Sequence, residues 1–277
     1  MNIKKIVGIA VASVLTMSLV LTGCGKKEEA PKGENTKADS SLQYIKDKGT
    51  LVVGLDDGFP PMGFRDEKGE IVGFDIDLAK EVAKKLGIKV DFKAIDWNAK
   101  EMELNTKKID CIWNGMSVTP EREKNMALSK PYLENTQAFI VKNGSAIKTI
   151  ADMKDKKIGF QDKSSSMEAF EKNTELKSMV SDNRQYLKNK DVLSDIKAGR
   201  IDVALMDKVV AEYYTAKDKS SFEFLKDNLG EEFYAVGFRK EDKQLRDEID
   251  KIMDELKKDG TVSKISQKWF GADIVIK

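Results

Sequence analysis

The stretch from Asp110 to Arg122 carries the densest set of groups that could hold a small charged molecule. Cys111-Ile112-Trp113 is an apolar run too short for a helix and bounded by polar residues, which predicts a buried strand. It breaks at Asn114-Gly115 into Met116-Ser117-Val118-Thr119. Thr119-Pro120-Glu121 then has the form of a helix start, with a capping hydroxyl, proline at the first helical position and an early acid. Arg122 falls in the first turn. Free backbone N–H groups at such a turn, beside a planar fork of donors, suit a small carboxylate. The same residues also describe an ordinary strand-to-helix loop with Arg122 on a solvated face, and this stretch alone does not choose between the two.

Composition removes several alternatives. Among 277 residues there is no histidine and there are two cysteines. That excludes Ser-His-Asp and Cys-His catalysis and the usual zinc sites. Two cysteines also exclude a disulfide framework, and Cys111 in its apolar run is expected as a small buried hydrophobe. The 48 basic and 47 acidic residues are interspersed, with no basic patch and no nucleic-acid-binding module. The length exceeds one typical domain and suits two compact lobes.

The first residues address the chain outward. Lys4 and Lys5 precede an apolar run from Ile6 to Leu21, then Thr22-Gly23-Cys24. A basic start, a short apolar segment and small residues make a secretory signal, short for a lasting membrane span. Residues 24–40 have almost no apolar side chain, so they cannot offset their ordering entropy and are expected as a flexible tether.

The elements that would position Arg122 alternate. Ser40-Ser41-Leu42-Gln43 predicts a capping box opening a short helix that ends near Gly49. Leu51 to Leu55 is a strand, and Asp56-Asp57-Gly58-Phe59-Pro60-Pro61 a stiff loop at its C-terminal end. Asp75 is expected to cap a helix that buries Leu78, Ala79, Val82 and Leu86 and ends at Gly87. Val90 to Ile95 is the next strand, and a short helix through Met102 and Leu104 leads to Asp110. A similar set follows: strand 157–161, the loop Ser164-Ser165-Ser166, a helix through Met167, Phe170 and Leu176, and a helix on Val192, Leu193 and Ile196. Strand 201–206 then stops at Asp207. Helices through Leu245 to Leu256 and Val262 to Phe270 close the chain. Strand–helix alternation predicts α/β lobes with largely parallel sheets. The chain is expected to cross between them near 134–137 and 230–235. Ligands of open α/β sheets sit outside the C-terminal strand ends, so two facing ends make a cleft.

With these pieces placed, the sequence resembles the extracellular solute-binding proteins, family 3, of polar amino-acid ABC importers, from about residue 41 to 271. The resemblance rests on Gly69-Glu70-Ile71-Val72-Gly73-Phe74-Asp75-Ile76-Asp77-Leu78-Ala79, on Gly115-Met116-Ser117-Val118-Thr119 with Arg122, on Gly199-Arg200-Ile201-Asp202 with Asp207, and on Gly260-Thr261 to Trp269-Phe270-Gly271. Leu21-Thr22-Gly23-Cys24 is similar to a lipoprotein lipobox.

That resemblance implies an α/β, two-lobed periplasmic-binding-protein-like fold (type II), each lobe a mixed, mostly parallel sheet flanked by helices, with two hinge crossovers. It implies a signal peptide at 1–23, a tether at 24–40, lobe 1 at 41–135 plus 234–277, and lobe 2 at 136–233. The function implied is capture of a free polar amino acid by hinge closure and delivery to an ABC permease with its ATPase subunits. Diacylglycerol on Cys24 would hold a monomer on the extracytoplasmic face of the cell membrane, with no cofactor or metal. Arg122 and Ser117 would take the ligand carboxylate, with Ser165 from the other lobe. The Gly115 carbonyl and Asp207 would take the ammonium. Phe59 would pack on the side chain, Asp56 would line the far end, and Trp97 would form a wall. Position 163, usually glycine in the family, is lysine. The alternatives are a cleft enzyme on the same fold, similar to cyclohexadienyl dehydratase, and an extracellular amino-acid sensor.

Overall fold

A computed structural model describes residues 39–218 and 220–276. The expected signal peptide, the lipidation site Cys24 and nearly all of the tether lie outside the described residues. In chain order, α1 (Ser41–Lys48) leads to β1 (Thr50–Leu55). A small antiparallel sheet follows: β2 (Gly58–Phe59), β3 (Gly63–Arg65) and β4 (Ile71–Val72). Then come α2 (Phe74–Leu86), β5 (Lys89–Ala94), α3 (Lys100–Asn105), β6 (Cys111–Ile112), α4 (Pro120–Asn125), β7 (Met126–Leu128) and β8 (Leu133–Lys142). The second set is β9 (Lys157–Gln161), α5 (Ser165–Lys172), α6 (Thr174–Met179), β10 (Asp182–Tyr186), α7 (Asn189–Lys197), β11 (Val203–Asp207), α8 (Lys208–Lys217) and β12 (Phe222–Tyr234). The chain closes with β13 (Gly237–Arg239), α9 (Lys243–Lys258) and α10 (Thr261–Phe270).

The two five-stranded sheets have matching orders, β5-β1-β6-β13-β7 and β10-β9-β11-β8-β12. In the first, β1 is parallel to β5 and β6, while β13 is antiparallel to β6 and β7. In the second, β9 is parallel to β10 and β11, while β8 is antiparallel to β11 and β12. Each sheet therefore has a single reversed strand at the same place, and the other strands run one way. This is the mixed, mostly parallel, two-lobed arrangement expected from the resemblance. The lobes are joined through β8 and β12, whose ends also bond the first lobe: Val118 N donates to Phe233 O (2.7 Å) and Ala235 N to Met116 O (2.9 Å).

Burial explains these elements. In the second sheet, Phe139, Val141, Val203 and Leu205 enter one cluster and Ala138, Ile140, Ala204 and Met206 another. Both faces are covered, which is why these strands read as continuous apolar runs rather than alternating ones. On α9, Leu245, Ile249, Ile252, Met253 and Leu256 are buried, a stripe at helical spacing. Each such side chain adds roughly 1.5–3 kcal/mol relative to exposure.

Local expectations differ in four places. Ser40 forms no capping box; the Asp39 carboxylate takes the Ser41 N–H instead (2.9 Å). Gly73 precedes α2, and Asp75 lies buried inside its first turn rather than capping it. The helix through Phe170 breaks at Asn173, whose side chain caps a separate α6 carrying Leu176. Strand β10, with Asn183, Arg184 and Gln185 at its centre, escaped the reading because it has no apolar run.

Candidate functional site

The strand ends expected to face each other do so. Asp56 follows β1, Asn114-Gly115 follows β6, Gln161 ends β9 and Asp207 ends β11. Gln137 on β8 pairs with Asp207. Asp56, Asn114, Gly115, Gln137, Gln161 and Asp207 are all buried.

Arg122 has 3% exposure, so it is not on a solvated face. Thr119 caps α4 by accepting from Arg122 N (3.3 Å), which fixes the start of the turn. The guanidinium donates from Nη1 to Ser117 O (2.7 Å) and lies 6.0 Å over the Trp97 ring. Glu168 of the second lobe stands 4.0 Å from Nη2. Ser117 Oγ donates to Ser165 Oγ across the lobes (2.9 Å). Lys100 is buried beside this group and donates to the Lys163 carbonyl (3.2 Å). Burial, and then the Arg122 charge, push its pKa down to about 8.

At the other end, Asp207 Oδ1 accepts from Tyr234 Oη (2.7 Å), Asn135 Nδ2 (2.8 Å) and Gln137 Nε2 (3.3 Å). It stands at the N-cap position of α8, but its side chain makes no cap hydrogen bond. The two amides also donate to Glu232 Oε1. Burial, and next the Glu232 charge, hold the Asp207 carboxyl well above the usual carboxylate range. Gln137 Nε2 reaches Ser165 Oγ too (3.1 Å), tying this carboxylate to the hydroxyl pair.

Asp56 is at the third corner. Its Oδ2 accepts from Gln161 Nε2 (2.7 Å), and its Oδ1 accepts from Gly58 N (2.9 Å) and bonds Lys188 Nζ. Its N–H donates to Asn114 Oδ1 (2.9 Å). Gly115 has φ +54, and a Cβ there would lie 2.8 Å from Phe59 and 3.1 Å from Tyr234; glycine is required both by the left-handed backbone and by this close approach. Its N–H donates to Asp75 Oδ2 (2.6 Å). Burial raises Asp75 to about 7. Tyr132 and Trp113 neighbour it and favour its charged form, yet Tyr132 Oη, Trp113 Nε1 and Asp75 Oδ1 make no hydrogen bond among the described residues.

The eight residues singled out in the sequence thus form one seam. Contacts run from Trp97 to Arg122, Ser117 and Ser165, through Gln137 to Asp207, and through Tyr234 to Gly115 and Phe59; Asp56 joins through Asn114. Chemically it is dipolar, with a guanidinium and hydroxyls at one end and a carboxylate pair at the other. Open clefts of about 570 and 870 Å³ flank it at Gln137, Ser165 and Glu232 and at Asn98, Lys100 and Arg122. Trp113 and Cys111 are fully buried core. Lys163, where the resemblance leads one to expect glycine, has a left-handed backbone at φ +50.

Sequence reasoning missed Asn135, Gln137, Gln161, Lys188 and Tyr234. Asn135 and Gln137 are buried at alternate positions of β8, where polar groups need partners, but in sequence they stand in the continuous polar run Glu134 to Gln137 and gave no signal. Lys188, in a polar loop, gave none.

With fold and seam in place, the family follows. The chain matches the bacterial extracellular solute-binding proteins, family 3, over residues 51–272, and belongs to that family. It is 31% identical over 267 residues to the L-cystine-binding protein TcyJ of Escherichia coli (strain K12), covering 96% of each chain. It is 32% identical over 270 residues to the lysine/arginine/ornithine-binding periplasmic protein of the same strain, covering 95% of this chain and 98% of the relative. Among solved structures it is similar to an ABC uptake transporter substrate binding protein from Streptococcus pneumoniae with bound histidine, at 40% identity and a TM-score of 0.84, covering 87% of this chain and 100% of that one. No helix among the described residues is long and apolar enough to cross a membrane.

Proposed function

We propose that this chain captures one free amino acid in the seam between its lobes and hands it to an ABC permease, acting as a binder and not a catalyst. The observation that carries the reading is the convergence of Arg122 and Ser117 from one lobe with Ser165 and Asp207 from the other, all buried. A zwitterion needs donors at one end and acceptors at the other, in a site dry enough to strengthen both. The Arg122 fork, with one arm steadied by Ser117 O, would hold the carboxylate along with the Ser165 hydroxyl. Asp207 and the Gly115 carbonyl would take the ammonium, a cation that relieves the Asp207–Glu232 repulsion. Phe59 and Trp97 would enclose the side chain. Gln137 Oε1 and Asn189 Oδ1 are buried without a hydrogen-bond partner among the described residues; each such group costs about 1–3 kcal/mol, which supports a site meant to bond more than its own chain.

Closure would bend the crossovers at 135/136 and 233/234, with Arg122 and Phe59 holding the ligand first and Ser165 and Asp207 engaging on closing. A diacylglycerol on Cys24 and the tether would keep this body near the permease and its ATPase subunits at the outer face of the membrane. A thermal-shift screen of ligand-stripped protein against the common amino acids, including cystine, tests the reading. Ligand at a hundredfold over Kd adds about 2.7 kcal/mol, a rise of roughly 5–11 °C for a chain of this size. No shift with any amino acid would contradict it.

A further inference from the structure

The Asp56 corner of the seam is already charge-balanced from within the chain. Asp56 has 1% exposure and both its carboxylate oxygens are bonded: Lys188 Nζ and Gly58 N on Oδ1, Gln161 Nε2 on Oδ2. Gln161 cannot turn its oxygen inward, because Asn189 Nδ2 donates to its Oε1 (3.1 Å) while its amide also donates to Leu187 O (2.9 Å). Lys188 reaches Asp57 Oδ1 as well (3.1 Å), and Arg65 Nε takes Asp57 Oδ2 (2.7 Å). Two carboxylates therefore meet two cations. Lys188 comes from the opposite lobe, and its stem lies where a Cβ on Gly58 would be 3.2 Å away, so the residue type at 58 admits it. Burial alone would lower the Lys188 pKa, but the hydrogen bonds and charges of Asp56 and Asp57 hold it above its ordinary value.

We propose that Lys188 neutralises the Asp56 end of the interlobe site, so that the site selects an amino acid whose side chain carries no net charge. The proposal rests on the amino-acid-binding reading and adds the substrate class. A cationic side chain arriving at Asp56 would meet Lys188 Nζ at the position it needs, without an uncompensated carboxylate to receive it; like charges forced together in a poorly solvated site repel strongly. A neutral polar group faces no such conflict and finds Gln161, Asn189 and Tyr214 nearby. The acid at position 56 alone would suggest a site for cations, and the lysine from the other lobe reverses that expectation.

Calorimetry with wild type, Lys188→Met and Lys188→Gln decides it, using the common amino acids with ornithine, citrulline and cystine at about pH 8, where imidazole is neutral. The tightest wild-type ligand is expected to have no net side-chain charge, with L-citrulline preferred to its near-isostere L-arginine where both bind. Removing the lysine is expected to raise affinity for arginine, lysine or ornithine, relative to that neutral ligand, by about tenfold or more. Retained binding of the neutral ligand shows that a variant is folded, and Lys188→Gln stands in if Lys188→Met is not. A charged amino acid as the tightest wild-type ligand, or an unchanged cation-to-neutral ratio in the folded variant, overturns the proposal while leaving the amino-acid reading intact. Absence of binding by every amino acid overturns both.

Discussion

Ser117 and Ser165 meet hydroxyl to hydroxyl, Oγ to Oγ at 2.9 Å, from opposite lobes. Ser165 also accepts from Gln137 Nε2, so one oxygen links the Arg122 loop of the first lobe to the Asp207 network of the second. Replacing it, Ser165→Ala, leaves the Ser117 hydroxyl without its buried acceptor. The expected loss is about 1–2 kcal/mol, read as a lower urea midpoint with an unchanged slope. A midpoint equal to wild type would remove this contact from the account.

Asp75 gives a pH signature. Its folded pKa is raised to about 7 by burial, against about 4 in an unfolded chain. Between those values the folded state holds a proton that the unfolded state has released, so stability falls as pH rises through the window. The penalty is absent below about pH 4, complete above about pH 7, and at most a few kcal/mol. Asp75→Asn should flatten this decline, because the amide oxygen can still accept from Gly115 N. Urea midpoints compared near pH 4.5 and near pH 8 check it; an equal slope in both proteins counts against a protonated Asp75.

Asp207 should separate stability from binding. Its carboxylate is buried and repelled by Glu232, so Asp207→Asn relieves an unfavourable charge. The variant is expected to unfold at the same or a higher temperature than wild type, yet to lose most of its affinity for the amino acid, since the ammonium would lose its formal counter-charge. A variant that melts several degrees lower with unchanged affinity would make Asp207 a structural acid.

Much of this was legible in the sequence because it depends on local patterns. The Thr119-Pro120-Glu121 start placed Arg122 in a first turn, and the apolar runs at Leu51 and Val203 marked the strands whose ends carry Asp56 and Asp207. What escaped depends on distant pairing. Strand β10 is polar because it is an edge of its sheet, so no hydrophobic period reveals it. Asp75 resembles a helix cap in sequence, but Gly73 takes that position, and Gly115, forty positions away, donates its N–H to the Asp75 carboxylate. Lys188 meets Asp56 across the lobes, 132 positions away, and followed by Asn189 and Lys190 it reads in sequence as a solvated lysine.

The most direct test of the account is the affinity of Arg122→Ala, by calorimetry, for whichever amino acid the thermal-shift screen identifies. Removing one partner of a buried charge pair should weaken binding by roughly 2–5 kcal/mol, with the stoichiometry of wild type still one ligand per chain. An Arg122→Ala protein that binds the same amino acid as tightly as wild type would contradict the central claim that this guanidinium holds the ligand's carboxylate.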